Sequence, residues 1–253
     1  HELSNPRRAL MHVHVINSAN RHQYLDEIEQ MHRQRHRVFV DLMGWKALES
    51  PDGLDIDQFD TPNATYLVAI DEGEVRGSLR LIPSWRPHML KNLFGHYVEG
   101  EAPSGPGVWE WTRHAPGHPS LPREINHQVR FLLNIAVYEF AASRGIETFI
   151  GIADCQIVPR MIDLGWKVDP IGLPVNYGEG VAYAFKMDVD PAVNDKLRTR
   201  LGRFNTVLCE MPRGLVAEEG RMARRAIELA MNVPSKNIQR AEEVLRKLAT
   251  VDE

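Results

Sequence analysis

Along the chain, hydrophobic positions switch between a spacing of two and a spacing of three to four, and each switch marks an element. Val13 and Val15 alternate with His12 and His14, the pattern of a short, half-buried first strand. Over residues 24–40, Leu25, Ile28, Met31, Val38 and Phe39 keep helical spacing, with Arg33, Arg35 and Arg37 between them, until Met43-Gly44-Trp45 stops the helix. Residues 66–70 and 75–82 are apolar runs around Asp71-Glu72-Gly73-Glu74, a hairpin with Arg80 inside its second strand. Residues 108–114 form a short segment carrying Glu110 and Arg113. Val129, Leu132, Leu133, Ala136, Val137 and Phe140 line one face of a helix over 124–143, which Arg144-Gly145 closes. A buried-type strand (146–152), a short helix (158–164) ended by Gly165-Trp166, and an alternating strand (181–189) follow. Strands and helices in this order predict a mixed α/β sheet.

After Pro191 the pattern changes. Arg, Glu and Ala dominate, no strand is evident, and Ser235 is placed to cap a helix whose face is Ile238, Ala241, Val244, Leu245 and Leu248. An amphipathic run over 215–231 precedes it. The organisation read is a vector remnant at 1–10 ahead of Met11, an α/β domain over 11–190, and a helical C-terminal extension over 191–253. That extension packs on the core, mediates dimerisation or binds another protein; the sequence leaves this and the oligomeric state open. A length of 253 residues suits one α/β core plus such an appendage.

Composition narrows the class. A net charge of −4 and a pI near 6.3 argue against nucleic acid as a partner. Apolar runs such as 131–136 are too short to cross a bilayer, and the N-terminus lacks the pattern of a secretory signal, so a cytoplasmic protein is expected. Cys155 and Cys209 fall in no metal-ligand spacing, and His12 and His14 alone do not make a site, so no metal is expected.

The acidic loop over 51–62 (Asp52, Asp55, Asp57, Asp60) runs either across the surface or over a site. Four blocks flank and include it: Arg35-His36-Arg37-Val38-Phe39 with Gly44-Trp45; Asp57-Gln58-Phe59-Asp60; Gly77-Ser78-Leu79-Arg80-Leu81-Ile82-Pro83; and Glu110-Trp111-Thr112-Arg113. In this order the chain resembles the LuxI-type acyl-homoserine-lactone synthases over about residues 13–189. The resemblance implies a GCN5-related N-acyltransferase-like three-layer α/β/α sandwich, its mixed sheet splayed to admit a phosphopantetheine arm. It implies two steps: the amine of S-adenosylmethionine attacks an acyl thioester carried by acyl-carrier protein or CoA, and the carboxylate then closes a lactone, releasing methylthioadenosine. Both are substrates; no prosthetic group is implied. The product serves cell-density signalling.

Each candidate has a plainer reading beside it. Glu110 is the proton acceptor for the amine, or it pairs with Arg80 or Arg113 to brace the sheet. Arg80 and Arg113 join Glu110 as catalytic candidates. Asp57 and Asp60 aim at one cation, or decorate an exposed turn. Arg35 and Arg80 clamp a carboxylate or pair with those aspartates, and the pairing is favoured for Arg80. Phe39 and Trp45 offer an aromatic surface for S-adenosylmethionine, or pack the core. Leu132, Leu133, Ala136, Phe149 and Gly151 line the acyl pocket or are core. In the resembling family, Thr at the position of Gly151 accompanies 3-oxo acyl groups, so Gly151 points to an unsubstituted or differently recognised chain. Arg123, Arg130, Arg144, Arg160 and Lys167 surround the expected thioester entrance, or simply solvate the surface. His114 stands where the family shows Phe, and Asp41-Leu42-Met43 where it shows Glu-Arg-Leu. Two rival functions stay open: an N-acyltransferase acting on another amine, and a regulator that binds without turnover.

Overall fold

The computed structural model describes residues 11–210. The expected vector remnant at 1–10 and the helices expected at 215–231 and after Ser235 lie outside the described residues.

The described chain builds a nine-stranded sheet. Its elements are β1 (His12–Ile16), α1 (Leu25–His36), β2 (Thr65–Asp71), β3 (Glu74–Pro83), α2 (Met89–Asn92), β4 (Val108–Ala115), α3 (Arg123–Arg144), β5 (Thr148–Asp154), α4 (Val158–Asp163), β6 (Asp169–Pro170), β7 (Val175–Asn176), β8 (Val181–Asp188), α5 (Pro191–Leu201) and β9 (Leu208–Cys209). The strand order is β6-β8-β5-β4-β3-β2-β1-β9, with β7 also on β8. Neighbours are antiparallel except β4–β5, which α3 connects, and β1–β9.

Strand alternation sets the layers. In β2, Leu67 and Ala69 face α3 and join Leu132, Leu133, Ala136 and Val137 in the main core. Tyr66, Val68 and Ile70 face the other way, onto Met31 of α1 and Phe59. Each sheet face is therefore covered, and the expected α/β/α sandwich forms.

The hairpin between β2 and β3 turns on two residues, Glu72 (φ 53°) and Gly73 (φ 83°). Positive φ at both is the turn whose twist matches paired strands. Gly145 (φ 65°) ends α3, as the sequence predicted.

Two expectations are corrected. The helix expected over 24–40 is interrupted: α1 ends at His36, and Arg37–Leu42 winds as a wider π-helical turn. The extra residue re-phases the buried face, so Val38 and Phe39 pack with Ala115 and Trp45. Beyond Pro191 the chain does supply a strand, β9, and the fold does not stop at 190. Glu139 on α3 explains both. Its carboxylate accepts the backbone N–H groups of Val207 and Leu208 (both 3.0 Å) and the Thr206 hydroxyl (2.7 Å), and pairs with Arg198 of α5. With Val193 and Leu197 of α5 buried in the main core, residues 191–210 pack on that core, one of the alternatives the sequence left open. None of the described helices is long and apolar enough to cross a membrane.

Candidate active site

The ladder between β4 and β5 is short: they pair only at Val108–Thr148, Trp109–Phe149 and Glu110–Ile150, and it ends there. Against β3, the register shifts between Ser78 and Arg80, with two residues of β4, Arg113 and His114, opposite the single residue Leu79. This bulge contains Arg113 in the left-handed region (φ 51°), a conformation that costs a non-glycine residue about 1–2 kcal/mol. The strain turns the Arg113 side chain to the α1 face of the sheet, where a polar cluster holds it.

That cluster is built from three guanidinium groups and three carboxylates, brought together by α1, β3, β4 and the acidic loop. Arg35, 1% exposed, donates to Asp55 (2.9 Å) and to both oxygens of Asp60 (2.8 and 3.1 Å). Arg80, fully buried, donates to Asp57 (2.6 and 3.0 Å), Asp60 (2.9 Å) and the Thr112 hydroxyl (3.1 Å). Arg113 reaches Asp55 and Asp57 at 2.8 Å each. Tyr66 donates its hydroxyl to Asp60 at 2.8 Å. Three positive and three negative groups leave no net charge, the condition under which buried ions persist.

The acid–base state follows from this packing. Burial pushes the Asp60 carboxyl up, but Arg35 and Arg80 more than reverse it and hold it well below the usual carboxylate range. The same opposition, with Arg35 and Arg113, lowers Asp55. His32 on α1 is pushed down to about 4 by burial and by Arg35, so its ring is neutral at physiological pH. Its Nδ1–H donates to the Asp55 carbonyl at 2.7 Å, and the Asp55 N–H donates back to the His32 carbonyl at 3.1 Å, pinning the acidic loop to α1.

Glu110 is different. Its side chain is on the same face but turns to α2, taking the backbone N–H groups of Met89 (3.0 Å) and Leu90 (2.6 Å). Burial raises its pKa above the ordinary carboxylate value, and the two N–H groups only partly offset this. Among the described residues Glu110 makes no ion pair with Arg80 or Arg113, although the nearby Arg80 charge acts to lower its pKa. Met89 links the two parts, since its sulfur lies 3.2 Å from an Arg80 nitrogen and 3.6 Å from one of Arg113.

Phe39 and Trp45 stack at 5.4 Å, the Arg113 guanidinium lies 5.6 Å from the Phe39 ring, and Tyr177 meets Trp45 edge-on at 6.3 Å. These rings stand beside the cluster instead of in the main core.

Of the residues predicted from sequence, Arg35, Asp57, Asp60, Arg80 and Arg113 converge, with Phe39 and Trp45 at their edge and Glu110 adjoining through Met89. The exposed-turn alternative fails for Asp60, which is buried, and the cation both aspartates grip is Arg80. Leu132, Leu133, Ala136 and Phe149 gather on the opposite face with Trp111, Trp166 and Phe185. Gly151 adjoins them: a Cβ there would meet the Trp111 carbonyl oxygen at 2.8 Å and the Phe185 ring at 3.0 Å, so only glycine fits without displacement.

The basic positions do not form one ring. Arg123 and Arg130 line a surface cavity of about 470 Å³ with Pro119, Leu121, Asn126 and His127. Arg144 is at the far end of α3, about 30 Å away at 1.5 Å per residue, where it pairs with Glu210 (3.5 Å). Lys167 pairs with Asp169 at 3.1 Å.

Sequence reasoning assigned no role to Asp55, His32, Tyr66, Met89 or Tyr177. Asp55 was named only as part of the acidic loop, and Met89 only within Pro87-His88-Met89-Leu90, a segment that resembles the family's.

Comparison with known proteins gives the family and the fold. A family model described as autoinducer synthase matches residues 19–197. The isovaleryl-homoserine lactone synthase of Bradyrhizobium diazoefficiens is 34% identical over 203 residues, 79% of this chain and 90% of that protein. An acyl-homoserine-lactone synthase of Pseudomonas fluorescens is 39% identical over 166 residues, 64% of this chain and 81% of its own. Among solved structures, the CoA-dependent acyl-homoserine lactone synthase BjaI, determined with methylthioadenosine and with S-adenosylmethionine and isopentyl-CoA, superposes with a TM-score of 0.73 at 32% identity, covering 83% of this chain and 97% of BjaI. MesI, also described as CoA-dependent, gives 0.69 at 27% identity, covering 79% and 100%. The chain belongs to the autoinducer synthase family, whose curated relatives here are acyl-homoserine-lactone synthases.

Proposed function

We propose that this protein transfers an acyl group from a CoA thioester to the amine of S-adenosylmethionine and then closes the homoserine lactone, with Glu110 receiving the amine proton. The observation that carries the assignment is a buried carboxylate of raised pKa, adjoining a charge-neutral cluster, at the point where β4 leaves β5. A proton acceptor works best with a pKa nearer the working pH, and burial moves Glu110 in that direction. In the first step the substrate ammonium gives one proton to Glu110 directly or through water, the freed amine nitrogen bonds to the thioester carbon as the C–S bond breaks, and the second N–H proton goes to the departing sulfur, so that CoA leaves as the thiol. In the second, a carboxylate oxygen of the acylated methionyl group displaces sulfur at the γ-carbon, and methylthioadenosine departs.

Arg35, Arg80, Asp57 and Asp60 are the proposed frame for the methionyl end, and Phe39 and Trp45 the surface for the adenosyl end. The acid cluster is already balanced, so these groups act chiefly by shape and by the lone pairs and N–H bonds left over at its rim. The CoA donor is favoured by the description of BjaI and MesI as CoA-dependent. Acyl-carrier protein is the alternative donor. Incubation with S-adenosylmethionine and either acyl-CoA or acyl-carrier protein tests this: methylthioadenosine release and a lactone mass are expected with the CoA thioester. Release with neither donor refutes the activity, and release with the carrier protein alone refutes the donor.

A further inference from the structure

We infer that Trp111 is the acyl-length gauge of this enzyme and restricts it to compact acyl groups. The inference rests on the acyl-transfer reading above and names its substrate class.

The argument starts from alternation in β4. Glu110 turns its carboxylate to the α2 face, so Trp111, the next residue, projects to the α3 face. Only about 3.3 Å of strand rise separates the two. An acyl chain that presents its carbonyl beside Glu110 and passes between β4 and β5 where their ladder ends meets the indole almost at once.

Trp111 is 7% exposed and packs in the main core with the aliphatic residues of α3. It lies 5.7 Å from the Phe149 ring, 5.5 Å from Trp166 and 5.2 Å from His114. Trp166, behind it, cannot give way cheaply. It stacks on Tyr138 at 4.3 Å and donates its Nε1–H to Asn134 at 2.7 Å. The strand side is equally firm, because the Trp111 carbonyl and the Phe185 ring already occupy the space over Gly151. A tail therefore has to displace a tryptophan braced by a second, hydrogen-bonded tryptophan, and the cost grows with the length of the tail. Gly151 then reflects backbone proximity as well as any recognition of a chain substituent.

Turnover with S-adenosylmethionine is measured for butyryl-, isovaleryl-, octanoyl- and decanoyl-CoA. Wild type is expected to show kcat/KM at least about tenfold higher for the first two. Trp111→Ala, and the milder Trp111→Leu should the first fail to fold, is expected to raise the octanoyl and decanoyl values about tenfold or more and to lower the short-chain ones. A wild type that prefers octanoyl or decanoyl overturns the gauge, as does a folded Trp111 variant with an unchanged profile. Calorimetric affinity for the same thioesters reads the pocket independently of turnover, and tighter long-chain binding by wild type overturns the gauge too. Absence of methylthioadenosine with every thioester instead overturns the activity, so the two failures are told apart.

Discussion

Asp60→Asn tests the cluster most directly. Asp60 accepts from Arg35 through both oxygens, from Arg80, from the Tyr66 hydroxyl and from the Asp57 backbone N–H. The amide keeps the volume but loses the charge, and its NH2 group faces donors. Three guanidinium groups then confront two carboxylates in a buried space. Removing one partner of a buried ion pair costs about 3–5 kcal/mol. At about 2–4 °C per kcal/mol for a domain of this size, the melting temperature falls by roughly 10 °C. The pH dependence carries a second check. Asp60 is depressed in the folded state, so its contribution is complete above the ordinary Asp value, about 3.9, and is lost as pH falls through the lower folded pKa. The gap between wild type and variant should stay constant from about pH 5 to 8 and close only below about pH 4. Thermal and urea unfolding across that range supply the measurement. A loss under about 1 kcal/mol, or a gap that widens on acidification, refutes the reasoning.

Other expectations follow from single residues. Glu110→Gln should lower kcat by about 10²–10⁴ while S-adenosylmethionine affinity persists, and should abolish a rate limb whose midpoint in wild type lies above about 4.3. Because burial raises the Glu110 pKa, its stabilising share is complete below the ordinary Glu value and lost as pH rises through the folded pKa; the melting temperature of the Gln variant relative to wild type should therefore climb with pH. Glu139→Ala should release β9, seen as faster hydrogen exchange at Val207 and Leu208 with β2 and β3 unaffected. Glu72→Asn places a residue tolerant of positive φ in the hairpin turn and should stabilise by about 0.5–1 kcal/mol in urea unfolding; no gain counts against strain at that position.

The periodic elements were legible because their signals are local. The apolar runs and turn of β2 and β3, the alternation in β8, the helical spacing in α3 and its Gly145 stop all reappear with ends displaced by a few residues. The π-helical turn was not legible: Val38, Phe39 and Val40 have no spacing that distinguishes a wider turn, and tertiary contact with Ala115 and Trp45 decides it. Strand β9 was missed for the same reason, since two residues held by a glutamate about seventy positions earlier leave no local trace. In the site, Arg35, Arg80 and Arg113 were nominated by resemblance to known blocks, not by pattern. Asp55 shows the limit of that route. It is as buried as its neighbours and bridges two arginines, yet no block contained it.

The alternation of β4 separates two sets of groups. Glu110 and Thr112 serve the face where the amine substrate is proposed to react, while Trp109 and Trp111 belong to the opposite core. A change on one side of this strand can therefore leave the groups presented by the other side in place.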